Sequence, residues 1–135
     1  MLYGDSLHFL NHYQGFLTSV DAKSGVESHR ALRLPGAPSV YASLVGAANR
    51  IYVVDLSNEL AYRFSNMIGA DHVEYDGSAG THFDRPESID VDANGRIYVV
   101  DLGTHLMVAF DDMSGAGQVE TVTVASPVSI YAEDN

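Results

Sequence analysis

The sequence contains no cysteine among its 135 residues. This absence excludes disulfide bonds, thiolate metal sites and a cysteine nucleophile, and it leaves the redox compartment open. Long apolar runs are also missing. Crossing a bilayer takes about 18 consecutive apolar residues, and the sequence contains no such stretch. We therefore expect a soluble chain with no membrane insertion.

Basic residues are scarce as well. Seven Lys and Arg side chains stand against 18 Asp and Glu, which gives a formal net charge of −11. Such a chain repels a phosphate backbone, so nucleic acid is not expected as a partner. The first residues show no basic start followed by an apolar core, so no signal peptide is visible and the compartment is unknown. The length fits a single domain over 1–135.

One seven-residue segment, RIYVVDL, occurs twice, at 50–56 and at 96–102. The match extends further, as RIYVVDLSNELAYRF over RIYVVDLGTHLMVAF, and defines a repeat of 46 residues. Repeats of about 40–50 residues are typical of four-stranded propeller blades or of helical arrays such as HEAT repeats. The segment is short, rich in β-branched and aromatic residues, and in its second copy follows Asn94-Gly95, so we predict a strand.

Both faces of this strand are apolar. Ile51 and Val53 belong to one face, while Tyr52 and Val54 belong to the other. The strand must therefore be covered on both sides, as in an inner strand of a propeller blade, whose sheet lies between two neighbouring sheets. For the same reason three tyrosines are expected in the core: Tyr41, Tyr52 and Tyr98.

The sequence thus predicts an all-β fold, a β-propeller of about three four-stranded blades, which is half of a six-bladed ring. The second blade is placed at 37–76, with strands near 39–45, 50–55, 60–65 and 71–75. The third is placed at 84–124, with strands near 87–92, 96–101, 105–110 and 118–124. The first blade combines 1–36, with strands at 6–11, 16–22 and 27–34, and the tail 125–135, with a strand at 127–132.

Closing a blade with N-terminal and C-terminal strands removes an exposed sheet edge. Three blades still leave apolar flanks facing water. A homo-oligomer, preferably a dimer, or a longer chain carrying further blades is expected to complete the ring.

Residues 83–110, FDRPESIDVDANGRIYVVDLGTHLMVAF, resemble the NHL repeat: an aromatic residue and Pro before an apolar strand, Asp-x-x-Gly, an aromatic strand ending in Asp, and a final Phe. In the first half, LHFLNHYQGFLTSVDAKSG (7–25) and VYASLVGAANRIYVVD (40–55) resemble blades of the PQQ-like, quinoprotein-type propellers. Both resemblances imply a β-propeller, although they differ in subfamily. The quinone-dependent enzymes carry a Trp shortly after the turn matched by 21–25, and this chain has no Trp, so PQQ is not expected as a cofactor. NHL propellers include scaffolds, RNA-binding domains and lyase-like enzymes, so the resemblance does not name one function.

Residues 90–95 match the opening of a calcium-binding loop, D-x-[DN]-x-[DN]-G, with a carboxylate at the twelfth position. The resulting calcium candidates are Asp90, Asp92, Asn94 and Asp101. That loop needs flanking helices, whereas strands are predicted on both sides, so we prefer a structural interpretation. Asp55 and Asp101 each end a repeat strand and are expected to accept backbone N–H bonds in the tight turn that follows.

Two loops, 76–86 and 103–105, are predicted to open on the same face of the propeller. They carry the ligand-binding candidates, which are His82, Asp84, Arg85 and His105. The alternative is that these are solvated loop residues, with Arg85 pairing with an acid across the blade boundary.

No catalytic residue is assigned, because the sequence has no nucleophile elbow, phosphate loop or dinucleotide fingerprint. The favoured function is a non-catalytic scaffold, with no cofactor, that binds an unidentified ligand or protein. The alternative is a hydrolase or lyase with a loop-borne metal, calcium or zinc, at the channel mouth. A catalytic zinc normally takes three protein ligands, so His82 and His105 would need at least one more.

Overall fold

The computed structural model describes residues 2–3, 6–11, 16–21, 24, 27–31, 41–47, 50–65 and 71–122, with side chains at 24, 46–47, 50–65 and 71–122. Within these residues every regular element is a β-strand. This described part contains no helix of the length and apolarity that a membrane span requires.

In the described part of the chain, the strands form three antiparallel sheets of four strands each, and every strand pairs with its neighbours in the sequence. The first sheet holds β1 (Leu2–Tyr3), β2 (Ser6–Asn11), β3 (Phe16–Asp21) and β4 (Glu27–Ala31). The second sheet holds β5 (Tyr41–Ala47), β6 (Arg50–Asp55), β7 (Leu60–Phe64) and β8 (Val73–Tyr75). The third sheet holds β9 (Pro86–Val91), β10 (Ile97–Asp101), β11 (Leu106–Phe110) and β12 (Val119–Val122). The all-β architecture of four-stranded units is confirmed, and the strands of the second and third sheets lie within 2 residues of their predicted bounds.

The first sheet differs from the prediction in one strand. The pair Leu2–Tyr3 joins β2 at Leu7 and Ser6, so all four described strands of this sheet come from the N-terminal segment. A two-residue strand carries no periodic pattern, which is why the sequence did not indicate it. The strand predicted at 127–132 lies outside the described residues, and closure of this blade by the tail stays a prediction.

The second and third sheets pack face to face. The side chains of Tyr52, Val54 and Ala61 share one buried cluster with Ile97, Val99 and Val108. Strand β9 contacts both β5 and β6, so the two sheets meet along their first strands. We call the first set the forward face of the second sheet (Tyr52, Val54, Ala61) and the second set the backward face of the third sheet (Ile97, Val99, Val108).

The opposite face of the second sheet is buried too. Ile51, Val53, Tyr62 and Phe64 are all 0% exposed, and strand alternation places them away from the third sheet. Strands β1 and β2 of the first sheet lie beside β5 on this side. The prediction that the repeated strand is covered on both faces is confirmed for β6.

The expectation of three core tyrosines is met only in part. Tyr52 is 6% exposed and belongs to the core. Tyr98 is half-buried, and its hydroxyl donates a hydrogen bond to Asp92 at 3.0 Å, so the core assignment was wrong for this residue. Tyr98 lies on the face of the third sheet that no described sheet covers, which accounts for its exposure. The side chain of Tyr41 lies outside the described ones.

The turns follow the local sequence. The Gly95 N–H donates to the Asp92 carbonyl at 2.9 Å, and Gly95 has φ +85°, a value that glycine adopts without steric cost. Between the second and third strands of each repeat the turn ends on a non-glycine residue in the left-handed region. Glu59 and His105 occupy that position, each with φ 58°.

Candidate functional site

Asp101 holds two segments of one loop face together. Its carboxylate is fully buried and accepts the backbone N–H groups of Asp84 and Arg85, each at 2.8 Å. It also accepts the N–H of Gly103 at 3.0 Å, within the turn that follows its own strand. The prediction that this aspartate accepts turn N–H bonds is confirmed, and the bonds from the inter-blade loop are additional.

Asp55 binds the corresponding turn of the preceding repeat. It is also fully buried, and its Oδ1 accepts the N–H of Ser57 at 3.0 Å and the N–H of Asn58 at 3.1 Å. Its Oδ2 accepts the side-chain amide of Asn58 at 2.8 Å. Both repeat aspartates therefore bind turn groups, as predicted.

Two of the four ligand-binding candidates lie against the turn 102–105. The Leu102 N–H donates to the Arg85 carbonyl at 2.9 Å. The Asp84 side chain packs on Gly103 so closely that a Cβ added there would lie 2.6 Å from the Asp84 Cβ. The structure thus brings loop residues 84–85 and the turn together, as the shared-face prediction requires.

Two ion pairs on this face join partners that are close in the sequence. His82 Nδ1 lies 3.3 Å from Asp76 Oδ2, and the His82 side chain is 69% exposed. The Arg85 guanidinium lies 2.7 Å from Glu87 Oε1, two residues further along the chain. The expected pairing of Arg85 across the blade boundary is therefore corrected to a pairing within one loop and strand. His105 is exposed at the left-handed position of its turn.

A second group of residues, which the sequence did not indicate, fixes the outer part of the inter-blade loop. Glu120 on β12 accepts the Thr81 N–H and, at 3.0 Å, the Thr81 hydroxyl. The Gln118 amide donates to the Gly77 carbonyl at 3.1 Å and accepts from the Tyr75 hydroxyl. The Thr81 N–H in particular lowers the pKa of Glu120, so the carboxylate form is favoured. The loop is consequently attached to the third sheet along its outer strand.

The same loop is anchored from inside by Phe83. This side chain is 3% exposed, and its ring meets the Tyr75 ring edge to face, with 5.9 Å between centroids. Gly77, at φ +85°, allows the loop to fold back, since an added Cβ would lie 2.6 Å from the Thr81 carbonyl oxygen. The loop that carries the candidate face is therefore anchored in the buried core.

An open recess of about 220 Å³ lies beside this loop. Its lining combines one apolar residue with two carboxylates and two hydroxyls: Leu60, Glu74, Tyr75, Asp76 and Ser78. The Ser78 hydroxyl, the Ser78 N–H and the neighbouring His82 lower the pKa of Asp76 despite some burial. The recess is thus acidic, like the chain as a whole.

The four calcium candidates are not brought together. Asp92 and Asn94 lie in the turn between β9 and β10, whereas Asp101 pairs with Pro86 at the other end of these strands. A strand rises about 13 Å over the four residues from Ile97 to Asp101. The two ends of β10 are therefore too far apart to bind one calcium ion. The described residues contain no group of three His, Asp or Glu side chains that could hold a metal ion.

Asp92 has a different structural role. Its Oδ1 accepts the N–H groups of Asn94 and Arg96 at 2.9 and 3.0 Å. Desolvation opposes ionisation of Asp92, but the bonds from the Arg96 N–H and the Tyr98 hydroxyl outweigh it and lower its pKa. Asp90 is largely buried and accepts the N–H of Val91 at 2.9 Å.

Three positions of the repeat pattern each stabilise a backbone turn in the structure: Asp92, Gly95 and Asp101. Residues 83–110 match the NHL repeat. The NHL repeat covers strands β9 to β11 and the loop residues that Asp101 binds. The PQQ-like resemblance of the first half stays a prediction.

Solved structures of similar fold include three propeller proteins. A streptogramin B lyase superposes with a TM-score of 0.66 and 17% identity, covering 92% of this chain and 40% of its own. Kuenenia stuttgartiensis hydrazine synthase gives 0.69 and 17%, covering 93% and 35%. A catalytically inactive virginiamycin B lyase from Staphylococcus aureus with quinupristin gives 0.61 and 14%, covering 87% and 39%.

This likeness shows a β-propeller fold, with the NHL repeat as one of its units. The chain spans between 35% and 40% of the length of these three proteins. No curated protein matches the chain.

Proposed function

We propose that this chain is a non-catalytic propeller scaffold that binds a ligand or protein on the face formed by the loop 76–85 and the turn 102–105. The observation that supports this most is the use of Asp101. A buried carboxylate that could serve chemistry instead accepts backbone N–H bonds from both segments of that face. Asp55 does the same for its own turn, so the repeated acid serves the scaffold twice.

The binding face offers exposed polar groups on a fixed support. His82, Asp84, Arg85 and His105 are all exposed, and they carry both charge signs and two imidazoles. The loop beneath them is tied to β12 through Glu120 and to the core through Phe83. A rigid surface of this kind binds without a large entropic cost of ordering.

The three sheets are proposed to complete a ring with a second copy, or with further blades of a longer chain. The purified 135-residue chain is therefore expected to run at twice its 14.6 kDa mass in light scattering. A stable monomer at micromolar concentration would exclude self-completion.

Metal analysis separates this function from an enzymatic one. After dialysis against zinc or calcium, the scaffold is expected to retain less than stoichiometric metal. His82→Ala and Asp92→Ala are the informative variants, with Asp112→Ala as a matched acidic surface control. Stoichiometric metal that disappears in either variant and persists in the control would overturn the scaffold proposal.

A hydrolase or lyase with a loop-borne metal remains the second proposal. The observation in its favour is that two of the similar structures are lyases, although identities of 17% and 14% carry only the fold. Such a site would combine His82 or His105 with ligands from outside the described residues, for example from a second chain. Metal binding that appears only in the associated form would support it.

A further inference from the structure

The third sheet repeats the interface chemistry of the second sheet. Shifting the forward face of the second sheet by the repeat length of 46 residues gives Tyr98, Val100 and Met107. These three replace Tyr52, Val54 and Ala61, and we call them the forward face of the third sheet. The register supports the match, because Tyr98 pairs with Ala109 and Val100 with Met107 on the same side of the sheet.

Coverage of the two forward faces differs. Tyr52 is 6% exposed and Ala61 is 0% exposed beneath the third sheet, whereas Tyr98 and Met107 are only half-buried. Val100, on the inner strand β10, is 3% exposed, so the open part of this face lies at Tyr98 and Met107. On the same side of the third sheet, Val119 pairs with Ala109 and is 55% exposed. An apolar sheet face of the kind that is buried one repeat earlier is therefore partly open here.

The interface inside the chain shows which surface fits such a face. Within the chain, the forward face of the second sheet packs on the backward face of the third sheet. Among the described strands, none forms a sheet that precedes the first sheet and covers its backward side. The register of the first sheet matches the second sheet: Leu7 pairs with Val20 as Ile51 pairs with Phe64.

The register equivalence continues along these strands. Phe9 pairs with Thr18 as Val53 pairs with Tyr62. The backward positions of the first sheet are therefore Leu7, Phe9, Thr18 and Val20. Three of the four are apolar, like the corresponding residues in the next sheet.

We propose that the forward face of the third sheet docks on the backward face of the first sheet of a second copy. The contact is head to tail, and two such contacts related by a twofold axis close a ring of six sheets. This inference rests on the proposed self-completion and adds which faces meet and in which register. Two forward faces packed on each other would be a different, symmetric contact.

Cysteine cross-linking tests the register, because the natural chain contains no cysteine. Ala61 and Val108 share the buried cluster between the second and third sheets. Their equivalents across the proposed contact are Met107 in one copy and Thr18 in the other. A Met107→Cys chain mixed with a Thr18→Cys chain should form a mixed disulfide under mild oxidation, and Ala61→Cys with Val108→Cys in one chain serves as the internal reference.

Charge substitution tests the energetics of the same contact. Met107→Glu would place an unpaired carboxylate in the contact and should weaken self-association by at least about 100-fold. Val122→Glu is the control, since Val122 is 71% exposed and pairs with Leu106 on the other side of the sheet. Circular dichroism of both variants checks that the strands are retained.

The outcomes distinguish this inference from the proposed function. Mixed disulfide formation together with loss of association only in Met107→Glu supports the head-to-tail contact. Self-association without the mixed disulfide, or a disulfide between two Met107→Cys chains, overturns the proposed faces but leaves self-completion standing. A natural chain that stays monomeric overturns both.

Discussion

Replacing Asp101 with asparagine removes one acceptor from a fully buried site without changing its shape. The carboxylate Oδ1 accepts the N–H of Arg85 at 2.8 Å and that of Gly103 at 3.0 Å. Its Oδ2 accepts the N–H of Asp84 at 2.8 Å. In Asp101→Asn, the side-chain oxygen can still accept the N–H groups at one of the two carboxylate positions. The new NH2 group at the other position must then face an N–H donor, with which it cannot form a hydrogen bond.

The expected loss follows from the hydrogen bond that the Asp84 N–H donates to Oδ2. A hydrogen bond to a charged acceptor contributes about 1.5–3 kcal/mol, and a buried donor left without a partner costs about 1–3 kcal/mol. Removing the charge also lowers the desolvation cost of the site. We therefore take a net loss near the sum of the lower limits of these two ranges. Asp101→Asn should therefore reduce the free energy of unfolding by about 3 kcal/mol.

Urea unfolding followed by far-ultraviolet circular dichroism measures this loss. With a slope of about 2 kcal/mol per molar urea, the midpoint should fall by about 1.5 M. Asp55→Asn is the matched comparison, because the described partner of its Oδ2 is the Asn58 side chain, which can rotate to present its oxygen. We expect a smaller loss there, about 1 kcal/mol. Equal midpoints for both variants, or no loss in Asp101→Asn, would refute the role given to Asp101.

Three further substitutions probe the loop 76–85. Gly103→Ala should destabilise the protein by about 2 kcal/mol, because the added Cβ would overpack on Asp84. Asp84→Gly in the same chain should restore the urea midpoint. If it does not, the steric explanation is wrong. Phe83→Ala should cost about 3 kcal/mol in the same assay because its ring is 3% exposed, and a loss below about 1 kcal/mol would show that the loop is not anchored there. Glu120→Gln should be less stable than the natural chain at pH 7, and the difference should shrink as the pH falls below 4.5, the usual pKa of this group. The folded pKa of Glu120 lies below its usual 4.5, so its stabilisation is present above that value and disappears as the pH falls through the folded pKa; a pH-independent difference would contradict this.

The repeated strands could be predicted because several local signals agree. In RIYVVDL the apolar residues occupy both faces, and the second copy follows Asn94-Gly95, which does form a turn with Gly95 at φ +85°. Asp101 could be assigned to its own turn because acceptors commonly follow a strand end. Its bonds to Asp84 and Arg85 come from 17 and 16 residues earlier, and no local pattern indicates them.

The remaining features of the site depend on distant or weak signals. Glu120 binds Thr81 across 39 residues, and neither residue belongs to a recognisable motif. The pairing of Arg85 with Glu87 did have a signal, since residues two apart in an extended chain lie on the same side. The prediction placed the partner of Arg85 across the blade boundary and therefore missed Glu87.

The hydrogen bonds that Asp101 accepts have a consequence for how such chains change in evolution. The acid ties the entrance of a blade to a turn of the same blade, so the connection is internal to a single unit. A duplicated unit of this kind brings both the aspartate and its N–H donors into the new position. The number of blades can then grow or shrink by whole copies, and neither neighbour has to evolve a new acceptor.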